Sequence, residues 1–220
     1  MQPKIKICGI TSVTDAALAE RCGADFIGIV CEIDCSPRCI SRAAAAELTR
    51  QSRLPVILLL DGPAGQIAEI ALYVRPYGLQ LIGEHSPEDI ALIKEQTECS
   101  LWLPVRVPGQ AQQDYPAAEA AERIASCAGA GADVIILDTM VAGMQGGTGK
   151  TCDWDLAAHI VAATRLPVFL AGGIRPENAV EAFARVRPAG IDVSSGVEKA
   201  PGVKDAAKLE LLVTTVRSLH

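Results

Sequence analysis

Short runs of apolar residues recur along this chain at a spacing that barely drifts, and Ala- and Leu-rich amphipathic stretches fill the intervals between them. Ile5-Lys6-Ile7, Phe26-Ile27-Gly28-Ile29-Val30, Val56 to Leu60 and Val134 to Leu137 are near-continuous apolar runs, the pattern of parallel strands covered on both faces. Strands are expected to begin near Lys4, Asp25, Pro55, Gly78, Ser100, Asp133, Pro167 and Gly190. Helices are expected over Thr14 to Cys22, Ser41 to Arg50, Ala64 to Val74, Pro87 to Gln96, Tyr115 to Ala128, Trp154 to Ala163, Pro176 to Val186 and Val203 to Ser218. Thr14-Asp15, Ser41, Ser86-Pro87 and Arg175-Pro176-Glu177 supply caps or first-turn prolines. Strict strand-helix alternation through eight repeats predicts an α/β fold, a closed (β/α)8 barrel of the TIM type, over an open doubly wound sheet. The 220 residues fit one such barrel as a single domain, 1–220.

Composition narrows the function classes. Half of the residues are hydrophobic and 21% are charged, which suits a large core and excludes global disorder. A net charge of −6 and only eight aromatic residues offer a nucleic acid neither an attractive field nor a stacking platform. The longest apolar run, Leu54 to Leu60, is far too short to span a bilayer and contains Pro55, so no membrane partner is expected. No secretory leader is read ahead of the first strand, and a cytoplasmic location is expected. Eight cysteines in such a chain read as free thiols rather than a disulfide scaffold. Cys31, Cys35 and Cys39 are evenly spaced, but Ser36-Pro37-Arg38 breaks any helix through them and no CxxC pair is present. The histidines His85, His159 and His220 lack ligand spacing, so no metal is expected, and the absence of a Gly-x-Gly-x-x-Gly after the first strand argues against a dinucleotide cofactor. No cofactor is expected.

In a barrel of this type the informative positions are polar residues at the C-terminal ends of strands, which point into the shared mouth. Cys8 closes the first strand and Asp138 the sixth. Each has a bland reading, a buried thiol and a loop cap, but together they make a usable base and acid pair if the site holds them in opposite protonation states. The stretch from Asp138 to Asp153 is the one long connection without periodicity, and it contains Gly146-Gly147-Thr148-Gly149-Lys150-Thr151. A P-loop would need glycine where Met144 stands, so this segment reads as an ordering loop over the pocket. Leu170-Ala171-Gly172-Gly173-Ile174 and Asp192-Val193-Ser194-Ser195-Gly196 place small residues after the seventh and eighth strands, where backbone amides can approach a phosphate. Arg38, after the second strand, carries a planar fork suited to a ligand carboxylate.

The ordered set Lys6 to Thr11, Gly23 to Gly28, Ser36-Pro37-Arg38, Gly146 to Thr151 with Asp153-Trp154, Leu170 to Ile174 with Pro176-Glu177-Asn178, and Asp192 to Glu198 with Lys204-Asp205 resembles the phosphoribosylanthranilate isomerase family of tryptophan biosynthesis. The resemblance implies an Amadori rearrangement of N-(5-phosphoribosyl)anthranilate. It also implies roles: Asp138 as the general acid on the ring oxygen and Cys8, with a lowered pKa, as the base for the C2 proton. It further implies Arg38 on the anthranilate carboxylate, the Gly172, Gly173, Ser194, Ser195 and Gly196 backbone on the phosphate, and Asp192 on sugar hydroxyls. The chain departs from the family pattern at Gln80-Leu81-Ile82-Gly83, where a histidine usually precedes the glycine, at Gly28-Ile29-Val30-Cys31, which lacks two aromatics, and at Cys152, where a phenylalanine is usual. Two alternatives stay open: an Amadori-type isomerase of another phosphosugar amine, favoured by the missing aromatics, and a catalytically silent phosphosugar-binding barrel, against which the retention of Cys8 and Asp138 argues. The small-molecule partner is a phosphosugar in each case, and monomer and homodimer are both compatible with the sequence.

Overall fold

The computed structural model describes residues 2–108, 117–140 and 153–219. Eight parallel strands form the barrel: β1 (Lys4–Ile7), β2 (Phe26–Cys31), β4 (Val56–Leu60), β5 (Gly78–Leu81), β6 (Ser100–Pro108), β7 (Val134–Met140), β8 (Val168–Leu170) and β9 (Gly190–Val193). Their order is β1-β9-β8-β7-β6-β5-β4-β2, and pairing of β1 with β2 closes the ring. A two-residue strand, β3 (Cys39–Ile40), pairs with the end of β2, so the Cys31 to Cys39 stretch is a strand, a loop and a strand rather than a helix. The helices are α1 (Val13–Cys22), α2 (Arg42–Gln51), α3 (Ala64–Val74), α4 (Pro87–Gln96), α5 (Ala117–Gly129), α6 (Trp154–Ala163), α7 (Ala179–Val186) and α8 (Ala206–Arg217).

Capping explains several helix starts. Ser12, Ser41, Asp153 and Asp205 each accept a hydrogen bond from a backbone amide of the first turn. Ser86 and Asp89 form a reciprocal capping box with Pro87 at the first helical position. Two expected starts shift by three residues. The helix expected from Pro176 begins at Ala179, because Asn178 is used in the preceding turn, accepting from the Arg175 amide at 2.9 Å and donating to the Gly173 carbonyl at 3.0 Å. The helix expected from Val203 begins at Ala206, because Val203 and Lys204 form β11, antiparallel to β10 (Glu198–Ala200), with Gly202 at φ 75° in the turn.

Alternation along the strands sorts side chains into two cores. Ile5, Ile7, Ile27, Ile29, Leu58, Leu60, Leu79, Leu81, Ile135 and Leu137 face outward into one large cluster with the helices. The inward positions stack in layers. At the N-terminal end Ile57, Trp102, Val134, Ile136 and Phe169 pack together with Phe26, and the Trp102 ring lies 4.7 Å from Phe169 and 5.2 Å from Phe26, centroid to centroid. Above them Lys6, Gln80 and Asp192 form a polar layer. At the C-terminal end Cys8, Val30, Ile33 and Leu59 form a third group, with Ile82 against it.

The base of the barrel is pinned by Asp25. Its carboxylate accepts from Lys4 Nζ at 2.8 Å, the Ile5 amide at 2.8 Å and Arg217 Nη2 at 2.6 Å, joining the first strand to the last helix. Partial burial opposes the charge, but these donors outweigh it and hold the carboxyl below its ordinary range. A depressed folded-state pKa stabilises the fold above the unfolded value of about 3.9 and loses that contribution as pH falls through the folded value. Asp25→Asn is therefore expected to destabilise the protein by about 1–3 kcal/mol near neutral pH, with the difference from wild type closing in acid. Urea unfolding at a series of pH values checks the sign.

Candidate active site

The barrel mouth is built from the chain reversal after β1. Lys6 and Cys8 share the inward face, and Gly9 takes φ 73°, so the chain turns sharply over the end of the strand. A Cβ on Gly9 would stand 2.5 Å from Arg38 Cδ and 3.0 Å from Ser194 Oγ, which places the Arg38 stem and Ser194 directly over this turn. Arg38 is fixed from the other side by Glu198, its Nε 2.9 Å from Oε1 and its Nη2 2.7 Å from Oε2. Lys204 Nζ donates to the same carboxylate at 2.7 Å and also to the Cys8 carbonyl. The β10–β11 hairpin thus braces both Cys8 and Arg38.

Cys8 is buried rather than facing solvent as a strand-end position suggests, because Val30, Ile33 and Leu59 wall it in. Burial pushes its thiol upward; the Lys6 ammonium pulls it back down, Asp192 adds to the rise and Lys204 opposes it. The expectation of a lowered Cys8 pKa is thus corrected: desolvation outweighs the cations. Asp138 does not end its strand, since β7 continues to Met140. It follows Val134 and Ile136 on the inward row and is half-buried. Its register partner on β6 is Arg106, whose Nη2 reaches the Ile82 carbonyl at 3.4 Å.

Along the adjoining rim, after β8, Gly172 and Gly173 have φ of 80° and 65°, a backbone that side chains rarely adopt. A Cβ on Gly196 would meet the Ile174 carbonyl oxygen at 2.0 Å, so the turns after β8 and β9 lie against each other and only glycine permits the contact. Ser194 precedes a single 3-10 turn, Ser195–Val197. Asp192 lies one layer below, in register with Lys6. The structure therefore gathers Cys8, Arg38 and Ser194 at one turn and Gly172, Gly173, Ser195 and Gly196 at another. The Gly146 to Thr151 loop and Cys152 lie outside the described residues.

Sequence reasoning missed Lys6, Gln80, Arg106 and the bracing roles of Glu198 and Lys204. The available signal was charge within apolar strands: Lys6 and Arg106 interrupt runs that are otherwise buried. Among the described residues no three His, Cys, Asp or Glu side chains are grouped to hold a metal ion, and no helix is long and apolar enough to cross a membrane.

Gly28 decides whether this layer fits. A Cβ there would stand 2.8 Å from Cys8 Sγ, 3.0 Å from Lys6 Nζ and 3.1 Å from Cys8 Cα. Gly28→Ala is expected to destabilise by about 1–3 kcal/mol through overpacking. Gly65→Ala, where an added methyl meets nothing within 4 Å, is expected to stabilise by roughly 0.4–1 kcal/mol. Denaturant melts of the two variants should move in opposite directions.

Comparison with known proteins places this geometry. The profile of the N-(5'-phosphoribosyl)anthranilate (PRA) isomerase family matches residues 5–215. The N-(5'-phosphoribosyl)anthranilate isomerase 1 of Methanosarcina mazei is 34% identical over 99% of this chain and 96% of its own, and the isomerase of Pseudomonas putida is 39% identical over 96% of each. Among solved structures, phosphoribosylanthranilate isomerase of Thermotoga maritima superposes with a TM-score of 0.84 at 29% identity, covering 99% of this chain and all of that one. A phosphoribosylanthranilate isomerase solved with reduced 1-(o-carboxyphenylamino)-1-deoxyribulose 5-phosphate gives a TM-score of 0.81 at 28% identity over 99% of this chain and all of its own. A (β/α)8 barrel with its polar inward residues at the strand ends, matched over nearly its whole length, belongs to the N-(5'-phosphoribosyl)anthranilate isomerase family.

Proposed function

We propose that this barrel catalyses the Amadori rearrangement of N-(5-phosphoribosyl)anthranilate to 1-(2-carboxyphenylamino)-1-deoxyribulose 5-phosphate, a step of tryptophan biosynthesis, with Asp138 as general acid and Cys8 as general base. The observation that carries the reading is the mouth itself: Cys8, just past the end of β1, and Asp138, two residues before the end of β7, occupy inward positions toward the C-terminal ends of strands three places apart in the ring. Asp138 protonates the furanose ring oxygen, the C1–O bond breaks, and the anilino nitrogen lone pair forms the iminium. The Cys8 thiolate then takes the C2 proton, and the released electron pair makes the enolamine and neutralises the nitrogen. Reprotonation at C1 and loss of the C2 hydroxyl proton give the ketose. Each step is assisted by proton transfer alone, and no metal or redox cofactor enters the balance.

Substrate orientation follows from the two halves of the mouth. The glycine turns after β8 and β9 suit the phosphate, which their backbone amides and small side chains admit closely. Val30, Ile33, Leu59 and Ile82 form an apolar wall beside Cys8 that suits the aryl ring. Ile82, which stands where the family usually has a histidine, continues that wall. Arg38, held in place by Glu198, supplies the positive charge for the anthranilate carboxylate. Asp192 lies below the sugar position and suits a hydroxyl contact. This reading needs one barrel, and a cytoplasmic location accords with a biosynthetic role.

The test is consumption of phosphoribosylanthranilate, followed by the loss of its fluorescence. Cys8→Ser and Asp138→Asn are each expected to lower turnover by about 10² to 10⁴. Wild-type rates in either variant remove that residue from the mechanism. Gly173→Val is expected to raise KM for the phosphorylated substrate, and inorganic phosphate should compete with substrate in the wild type. An unchanged preference for the phosphorylated over the dephosphorylated compound would place the phosphate elsewhere. Dialysis against EDTA should leave the activity intact.

A further inference from the structure

Lys6 is the most deeply buried cation among the described residues, with a fully inaccessible side chain, and the reaction as written gives it no task. Its Nζ lies 2.8 Å from Asp192 Oδ2 and 3.0 Å from Gln80 Oε1. Both bonds run within the barrel, the first to the neighbouring strand and the second across the interior to β5. Taking an ammonium out of water costs several kcal/mol even when it is paired, and apolar replacements of buried pairs are often at least as stable. Stability alone therefore does not explain a lysine here.

What stands above Lys6 does. Cys8 follows it on the same inward row of β1, and the Cys8 Sγ and the Lys6 Nζ both reach within 3.0 Å of the one point that a Gly28 side chain would occupy. The absent side chain at Gly28 leaves the space in which thiol and ammonium approach each other. We propose that Lys6 is a positioning residue for the isomerase reaction, its buried ammonium favouring, against the cost of burial, the Cys8 thiolate that takes the C2 proton.

The charges that face Cys8 are few. Lys6 comes from its own strand, Asp192 from β9, Lys204 from β11 against the Cys8 carbonyl, and Arg38 from the turn before β3. The remaining walls, Val30, Ile33, Leu59 and Ile82, are apolar and screen nothing. Lys204 and Arg38 share Glu198, which offsets their charge, and Lys6 shares Asp192. One carboxylate oxygen of Asp192, Oδ1, is buried without a hydrogen-bond partner among the described residues. Of these groups Lys6 exerts the largest stabilising pull on the thiolate, and it opposes both the burial of Cys8 and the Asp192 charge. The field is fixed by the barrel before any substrate arrives, the preorganisation that makes a buried base usable.

This inference rests on Cys8 being the base, and its test reads the thiol directly rather than through turnover. Iodoacetamide alkylation of the intact protein is followed by mass spectrometry of the peptide carrying Cys8, at a series of pH values, so the other cysteines do not interfere. Lys6→Met should move the midpoint of the Cys8 alkylation profile upward by about one unit or more, with a corresponding loss of roughly tenfold in alkylation rate at fixed pH below the midpoint. Because that variant leaves Asp192 uncompensated, the double variant Lys6→Met/Asp192→Asn, which removes both charges at similar volume, is measured beside it. Its midpoint should also lie above wild type, by less than in the single variant. Wild-type midpoints in the double variant, or in a folded Lys6→Met, overturn the proposal. Full turnover in Cys8→Ser would instead overturn the assignment of the base and leave the alkylation result standing.

Discussion

The ion pair between Lys6 and Asp192 organises the interior of this barrel. It joins β1 to its neighbour β9, the last strand of the barrel, and Gln80 carries the same polar layer to the opposite wall. Below it the space is filled by Phe26, Trp102 and Phe169, so the lower barrel is a packed hydrocarbon core. Above it the layer opens to the mouth. The pair is thus the boundary between a part of the molecule that supplies stability and a part that is available for chemistry, and glycine at position 28 is the steric condition for it.

Above that boundary the mouth divides by composition. One side is apolar, made by β1, β2, β4 and β5; the other is made of glycine and serine turns after β8 and β9. Cys8 stands on the first side, and Asp138, beside Arg106, comes from β7. The proposed substrate has the same division, an aryl ring at one end and a phosphate at the other, with the reacting sugar carbons between. Binding energy from the two ends would position the sugar between acid and base. The β10–β11 hairpin serves this division indirectly: Glu198 orients Arg38, and Lys204 ties the hairpin to the Cys8 carbonyl.

Much of this was legible in the sequence, and what was not has identifiable causes. The strand starts were readable because strands covered on both faces are continuous apolar runs. Asp133, expected as a strand start, is the residue before Val134, a shift of one. The hairpin was not readable, since Glu198 to Lys204 is short, charged and interrupted by Pro201-Gly202, and Val203 fits the periodicity of the helix that follows. Lys4-Ile5-Lys6-Ile7 shows the deeper limit. Both lysines fall on the same face of β1, yet Lys4 is exposed at the rim and Lys6 is buried inside, because only the closed ring places one of them opposite Asp192 and Gln80. Strand alternation gives the face and not the depth. The same limit made Cys8 look solvent-facing: its position at the strand end was correct, and the walls that bury it come from β2 and β4.

The account stands most directly on how a ligand lies in this mouth. A crystal structure with a reduced, non-reacting analogue of the rearranged product would show it. The account predicts the phosphate at the Gly173 and Ser195 amides, with hydrogen bonds of about 2.7–3.2 Å. It also predicts the aryl ring on Val30, Leu59 and Ile82, and sugar C2 next to Cys8 Sγ. A ligand bound with its phosphate at Arg38, or with the sugar carbons out of reach of Cys8, would contradict it.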